Sequence, residues 1–323
     1  MFSSACEFQT PPPEANLPVA SRIAVADWPE PSATLDLWPG GTAPGLLNVG
    51  LGEVTVEEGT PGQFHYRAVH GVSKPRLCVF PAQKPNGAAL VITPGGSYRR
   101  IAFDIEGYEL AKFFNAYGLT VFVLLYRLPA EGWAHASDVP LADAQRAVRL
   151  VRQHAGAYDL DPERIAFLGS SAGGHIGASL ATRSDAQVYD PVDKADLLSA
   201  RPKLVGLNYP VISMDPAIAH MQSRQNLLGD SPSDDALRTY SPDKMVSATT
   251  PPCHLVHAED DASVPIANTL VFRDALKAAG VAVETHLFPT GGHGFGLRKA
   301  AGTPTHAWAD LFLAFARSKG LFS

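Results

Sequence analysis

The chain has 323 residues, 46% of them hydrophobic and 18% charged, with a formal net charge of −6. This excludes a disordered chain, a coiled coil and a collagen-like repeat. With no basic block beyond Arg99-Arg100, it also argues against nucleic acid as a partner.

The longest strongly apolar run, residues 119–126, is far short of the roughly 20 residues that span a bilayer. Three cysteines, Cys6, Cys78 and Cys253, are widely separated, and neither Cys-x-x-Cys nor His-Glu-x-x-His occurs. Reduced thiols are therefore expected, with no disulfide framework and no metal site. The first residues lack the basic start and apolar segment of a signal peptide. That places the chain in the cytoplasm by default, or outside it, exported or periplasmic, if a leader is missing from this sequence.

Residues 1–50 are rich in Pro, Gly and Ala. Pro11-Pro12-Pro13 can neither continue a helix nor pair in a central strand, so an extended arm is expected, with Leu37-Trp38-Pro39 as an apolar anchor. Residues 51–323 read as one α/β domain. Residues 53–57 alternate and suit an edge strand, and 76–80 form a second strand. Residues 88–92 are a short continuous apolar run, as in a strand buried on both faces, and end in Pro94-Gly95-Gly96.

A helix over 107–117 and a buried strand over 121–125 follow. The next helix, 141–156, carries Leu141, Ala144, Val148 and Val151 at helical spacing, while Arg146, Arg149 and Arg152 suggest a solvated face. Further strands are predicted at 165–168, 204–211, 254–257 and 284–288. Further helices are predicted up to 182 and over 268–279 and 305–318. Alternating strands and helices imply a mostly parallel, doubly wound sheet. The polar stretch 213–250 breaks the rhythm and reads as a small cap insertion over the carboxyl edge of the sheet.

Gly169-x-Ser171-x-Gly173 occurs once, directly after a buried strand and directly before a helix. That is the setting of a nucleophile elbow, where a tight turn lifts a serine above the sheet and the helix N-terminus favours developing negative charge. A turn of small residues that merely permits close packing is the alternative. Ser170 is a rival nucleophile but lacks flanking glycines.

A serine hydroxyl is weak until a base takes its proton. Of the eleven histidines, His293 lies in the glycine-rich Gly291-Gly292-His293-Gly294-Phe295-Gly296, just past the last predicted strand. His175, His254 and His257 read as structural, and His65, His70, His135, His154, His286 and His306 have no comparable setting. An acid must hold the base's tautomer. Glu259, Asp260 and Asp261 follow the fifth buried strand, and Asp261 is favoured, with Asp260 next. The order Ser171, Asp261, His293 is the serine–acid–histidine order of α/β-hydrolases. Donors for an oxyanion are expected from the amide of Ala172 and from Gly96 and Ser97.

Together these residues resemble the α/β-hydrolase superfamily. They are most similar to bacterial carbohydrate acetylesterases, acetyl xylan esterase-like proteins related to the hormone-sensitive-lipase group. The resemblance spans about residues 37–320. It rests on Leu37-Trp38-Pro39-Gly40, Pro94-Gly95-Gly96-Ser97-Tyr98, Glu106-Gly107 and Tyr126-Arg127-Leu128-Pro129. It continues with Pro140-Leu141-x-Asp143-x-x-Arg146-Ala147, Gly169-Ser170-Ser171-Ala172-Gly173-Gly174-His175, Ser223-Arg224-x-Asn226-Leu227-Leu228-Gly229 and Gly292-His293-Gly294-Phe295. One departure stands out: Pro94 replaces the histidine of the wider lipase group's His-Gly-Gly-Gly and removes a backbone donor.

The resemblance implies an α/β-hydrolase fold and a serine esterase working through an acyl-enzyme, with no metal or organic cofactor. Its substrate would be a short acyl ester, acetyl above all, on a sugar or xylan fragment. Tyr98, His220 and Arg224 are candidates to reach that substrate from the loop and cap, the alternative for each being cap packing or exposure to solvent. Two alternatives are weighed against this. A prolyl oligopeptidase-type peptidase shares the Gly-x-Ser-x-Gly-Gly pattern but calls for a propeller-sized region that is not expected here. A non-catalytic binding protein on the same scaffold typically loses a triad member, whereas candidates for all three are present.

Overall fold

The computed structural model describes residues 29–48, 50–59 and 64–323. Cys6 and Pro11-Pro12-Pro13 lie outside the described residues. The apolar runs become strands β5 (Ala89–Thr93), β6 (Thr120–Leu125), β7 (Ile165–Ser170), β8 (Leu204–Asn208) and β9 (Cys253–Ala258), each buried along its whole length. Burial on both faces is what a continuous apolar strand requires. These strands pair in parallel, and β10 (Val283–Phe288) adds a parallel, half-buried edge.

At the opposite side, β4 (Arg76–Phe80) runs antiparallel to β6 and to β1 (Ala33–Asp36). Among the described residues the sheet has eight strands, ordered β1-β4-β6-β5-β7-β8-β9-β10. The mostly parallel doubly wound sheet read from the sequence is therefore the observed architecture.

Two local expectations change. The stretch expected as a surface arm supplies β1, and Leu37 and Trp38 behind it are fully buried. The alternating segment near residue 55 does not edge the main sheet. As β2 (Val54–Gly59) it pairs with β3 (His65–His70) in a separate two-stranded ribbon.

Successive residues of β8 point to opposite faces and show how the layers are built. Gly206 faces Phe312 of α7 (Trp308–Ser318), while Leu207 lies against Gly177 of α3 (Ala172–Arg183). On the α7 face, Phe114 of α1 (Glu109–Asn115) packs edge-on against Phe312 at 5.6 Å. On the other face, α2 (Val139–Gln153) packs beside α3. A π-helical turn, Asp104–Tyr108, precedes α1.

The arginine row of α2 is not a solvated face. Arg146 is 2% exposed and pairs with Asp193 and Asp196, and Arg149 bonds Tyr189 and the Leu198 carbonyl. A loop laid over the helix supplies the acids that periodicity cannot reveal.

The insertion carries α4 (Met221–Leu228) and α5 (Asp234–Thr239). It is fastened below by Asn268 on α6 (Ala267–Ala278), which accepts from the amides of Ile212 and Ser213 and donates to the Ile218 carbonyl. No helix among the described residues is long and apolar enough to cross a membrane. Cys78 and Cys253 are buried free thiols.

Candidate active site

Ser171 sits between β7 and α3 with φ 54° and ψ −120°, a strained combination for a residue with a side chain. The flanking glycines are steric requirements. A Cβ on Gly169 would stand 2.2 Å from the Gly173 carbonyl oxygen, and one on Gly173 would stand 2.1 Å from the Thr93 carbonyl oxygen. Strand and helix can approach closely enough to present the serine only without those carbons. Ser170, the rival, is the last residue of β7, fully buried and absent from the cavity wall.

Three strand ends converge on one hydrogen-bonded chain. His293 Nε2 lies 2.8 Å from Ser171 Oγ, and His293 Nδ1 lies 2.7 Å from Asp261 Oδ2. A carboxylate facing Nδ1 places the proton there, leaving the Nε2 lone pair for the serine hydroxyl. Asp261 has a buried side chain. Its Oδ1 accepts from the amides of Ser263 and Val264 at 2.8 and 2.9 Å. Burial opposes ionisation of this carboxyl. Hydrogen bonds from His257 and His293, the nearby imidazole and the Val264 amide outweigh it and hold the carboxyl well below its usual range. Asp260, the second choice of acid, instead accepts from the Gly292 amide at 2.7 Å and so shapes the histidine loop.

Three further residues hold this chain in place: His257, read from the sequence as structural, and Tyr209 and Glu106, which sequence reasoning did not single out for this task. His257 Nε2 lies 3.1 Å from both Asp261 Oδ2 and the Val264 carbonyl, while Nδ1 lies 2.7 Å from Thr269 Oγ1. Both Nε2 partners are acceptors, so that nitrogen carries the hydrogen and the threonine donates to Nδ1. Tyr209 stacks edge-on against His293 at 5.0 Å and donates to Glu106 Oε1 at 2.9 Å. Glu106 Oε2 accepts from the Gly95 amide at 2.7 Å. Glu106 thus ties the turn after β5 to the support of the histidine. Glu106-Gly107 stood in the family-like pattern, but nothing in its spacing showed this task.

Gly96 and Ser97 line the same cavity as Ser171 and His293, a space of about 170 Å³ that also meets Tyr66, Arg100 and Lys299. Gly96 has φ 134° and Ser97 φ 59°, which turns this segment's backbone toward the serine. Neither amide has an acceptor among the described residues. Ala172, as the first residue of α3, has no intrahelical carbonyl to donate to. The Ser97 carbonyl accepts from Asn226 Nδ2 of α4 at 2.7 Å, so the cap is pinned to this loop.

The three candidate substrate contacts fare differently. Tyr98 is 1% exposed and does not face the cavity. Its φ of 58° swings the ring inward, where its hydroxyl bonds His175 Nδ1 at 2.7 Å. His175 in turn donates to the Tyr240 carbonyl at 2.7 Å, and burial pushes its pKa down to about 4. His220 caps α4, accepting from the Ser223 amide. Burial and the neighbouring His293 depress its pKa, so it stands within electrostatic reach of the triad without lining the cavity. Arg224 is half-buried on α4, also outside the cavity wall, with no partner for Nε. Among the described residues, the cluster of side chains able to hold a metal lies elsewhere, on β9 and β10.

Comparison with known proteins gives a consistent result. The BD-FAE family model matches residues 81–276. An acetylxylan esterase of Xylanibacter ruminicola is 33% identical over 228 residues, covering 69% of this chain and 44% of that protein. Endo-1,4-beta-xylanase B of Butyrivibrio fibrisolvens is 32% identical over 232 residues, covering 72% of this chain and 36% of that protein. The chain thus matches less than half the length of either relative. Among solved structures, the acetyl ester-xyloside bifunctional hydrolase of Caldicellulosiruptor lactoaceticus aligns with a TM-score of 0.72 at 33% identity. That alignment covers 91% of this chain and 98% of that one.

Proposed function

The chain belongs to the BD-FAE family of α/β-hydrolases, and on that premise we propose that it is a serine esterase removing short acyl groups, chiefly acetyl, from sugars or xylan fragments. The observation that carries this reading is the hydrogen-bonded chain from Ser171 through His293 to Asp261, at 2.8 and 2.7 Å.

Ser171 Oγ attacks the ester carbonyl carbon as His293 Nε2 takes its proton. The amides of Gly96, Ser97 and Ala172 receive the oxyanion, where one such donor is worth about 10²–10³ in rate. His293 returns the proton to the leaving alcohol. Water, activated by the same imidazole, then releases the acid from the acyl-serine. Asp261 stays ionised throughout and stabilises the imidazolium.

Substrate class rests on two supports. The cavity beside Ser171 is small, about 170 Å³, and its rim is polar, with Tyr66, Arg100 and Lys299. Such a rim suits a hydroxyl-rich alcohol and leaves little room for a long acyl tail. Two of the proteins named above are called an acetylxylan esterase and an acetyl ester-xyloside hydrolase.

The test is p-nitrophenol release from acetate and octanoate esters, followed by acetic acid release from acetylated xylan. Ser171→Ala should lose at least about 10⁴-fold in kcat, while Ser170→Ala stays active. Octanoate turned over as well as acetate would overturn the short-acyl assignment. Turnover that survives Ser171→Ala would overturn the mechanism.

A further inference from the structure

A second group of chemically capable side chains sits on the α7 face of the sheet. His254 in β9 and Glu284 in β10 are register partners, and His286 follows two residues along β10, so all three project from the same face. Each brings a ligand atom within 4.8 Å of the others. His286 Nε2 lies 2.8 Å from Glu284 Oε1, and the two imidazole centroids are 5.2 Å apart.

His254 is fully buried against Phe312 and Phe315, yet neither of its ring nitrogens has a hydrogen-bond partner. Folded proteins rarely leave a buried polar group bare, and an ion is one of the standard reasons when they do. Glu284 and His286 are partly exposed, so an ion has a path in from solvent.

We propose that His254, Glu284 and His286 form a binding site for a borderline divalent transition-metal ion, Zn²⁺ in type, that clamps β10 to β9. Two imidazoles and one carboxylate are the donor set that zinc accepts, whereas Ca²⁺ and Mg²⁺ call for oxygen ligands. A small closing motion of the two exposed side chains reaches the roughly 2.0–2.2 Å that zinc requires, and water completes the coordination. The site lies toward the start of strands whose far ends lead to Asp261 and His293, so its role is structural and no step of ester hydrolysis passes through it. Motif spacing conceals the site because its ligands come from two separate strands.

The test uses the full chain without an affinity tag, stripped with a chelator and titrated with Zn²⁺. About one equivalent should bind, and Tm should rise by roughly 4–8 °C at a hundredfold excess over Kd, while Mg²⁺ leaves Tm unchanged. Glu284→Gln and His286→Ala alter only the exposed side, so the metal-free proteins should fold normally and bind zinc at least ~10-fold more weakly. Absence of stoichiometric zinc binding would overturn the proposal. So would binding and a Tm rise that both variants retain in full.

Discussion

Asp143 and Asp261 are both carboxylates with fully buried side chains, and they serve opposite ends. Asp143 faces a permanent cation. Its oxygens accept from the Arg127 amide at 2.8 Å, from Arg127 Nε and Nη2, and from Trp38 Nε1 at 2.9 Å. The Arg127 guanidinium also lies 5.1 Å from the centre of the Trp38 ring. Charge is cancelled locally and every group is satisfied, so nothing is left to react. Asp261 accepts a comparable set of hydrogen bonds, but from two amides and two imidazoles. Its charge remains uncancelled until His293 becomes cationic. Burial and donor count are alike at the two sites. Whether the partner's charge is permanent or acquired separates a girder from an acid poised for chemistry.

The sharpest way to break this contrast is to neutralise each carboxylate. Asp261→Asn should lower kcat for p-nitrophenyl acetate about 10⁴-fold, because the amide favours the wrong imidazole tautomer, with a smaller loss of stability than neutralising Asp143 brings. Asp143→Asn should do the reverse. It strands the buried Arg127 charge, costing about 3–5 kcal/mol in denaturant unfolding, while the folded fraction keeps its kcat.

Acid titration gives a smaller effect. Asp261 has a lowered pKa in the folded state, so its contribution is complete above the unfolded value of 3.8 and is lost as pH falls below it. His175 is also lowered, to about 4 from 6.5. Its unfolded form takes up a proton that the folded form refuses, so stability declines as pH drops from about 6.5 toward 4. Urea midpoints measured across that range should fall, and His175→Gln should flatten the slope above pH 4.

Much of the site was legible because strand–turn–helix grammar constrains it. Ser171 and Asp261 each follow the carboxyl end of a buried apolar run, and such runs can be read without coordinates; His293 follows the mixed, half-buried β10 and was marked instead by its glycine-rich loop. What remained hidden depends on which way a side chain turns after a bend, or on what another segment lays over it. Tyr98 was open to either substrate contact or packing, and its positive φ, which no pattern reveals, sends the ring into the core. Arg146 looked solvated because the loop carrying Asp193 and Asp196 is remote in sequence. β1 was missed because it has only four residues, and β3 because HYRAVH mixes polar with apolar residues. Glu106 and Tyr209 act on each other across about a hundred residues of sequence, so no local pattern could mark them.

The sheet order has one more consequence. β7, which delivers the serine, is flanked by β5 and β8, whereas β10, which leads to the histidine loop, has β9 alone beside it among the described residues. Amide protons along the half-buried edge should therefore exchange through smaller, more frequent openings than those of the centre. On warming, the base should depart while the nucleophile is still locked in place, so turnover should fail below the midpoint of global unfolding, at the fraying of one marginal strand.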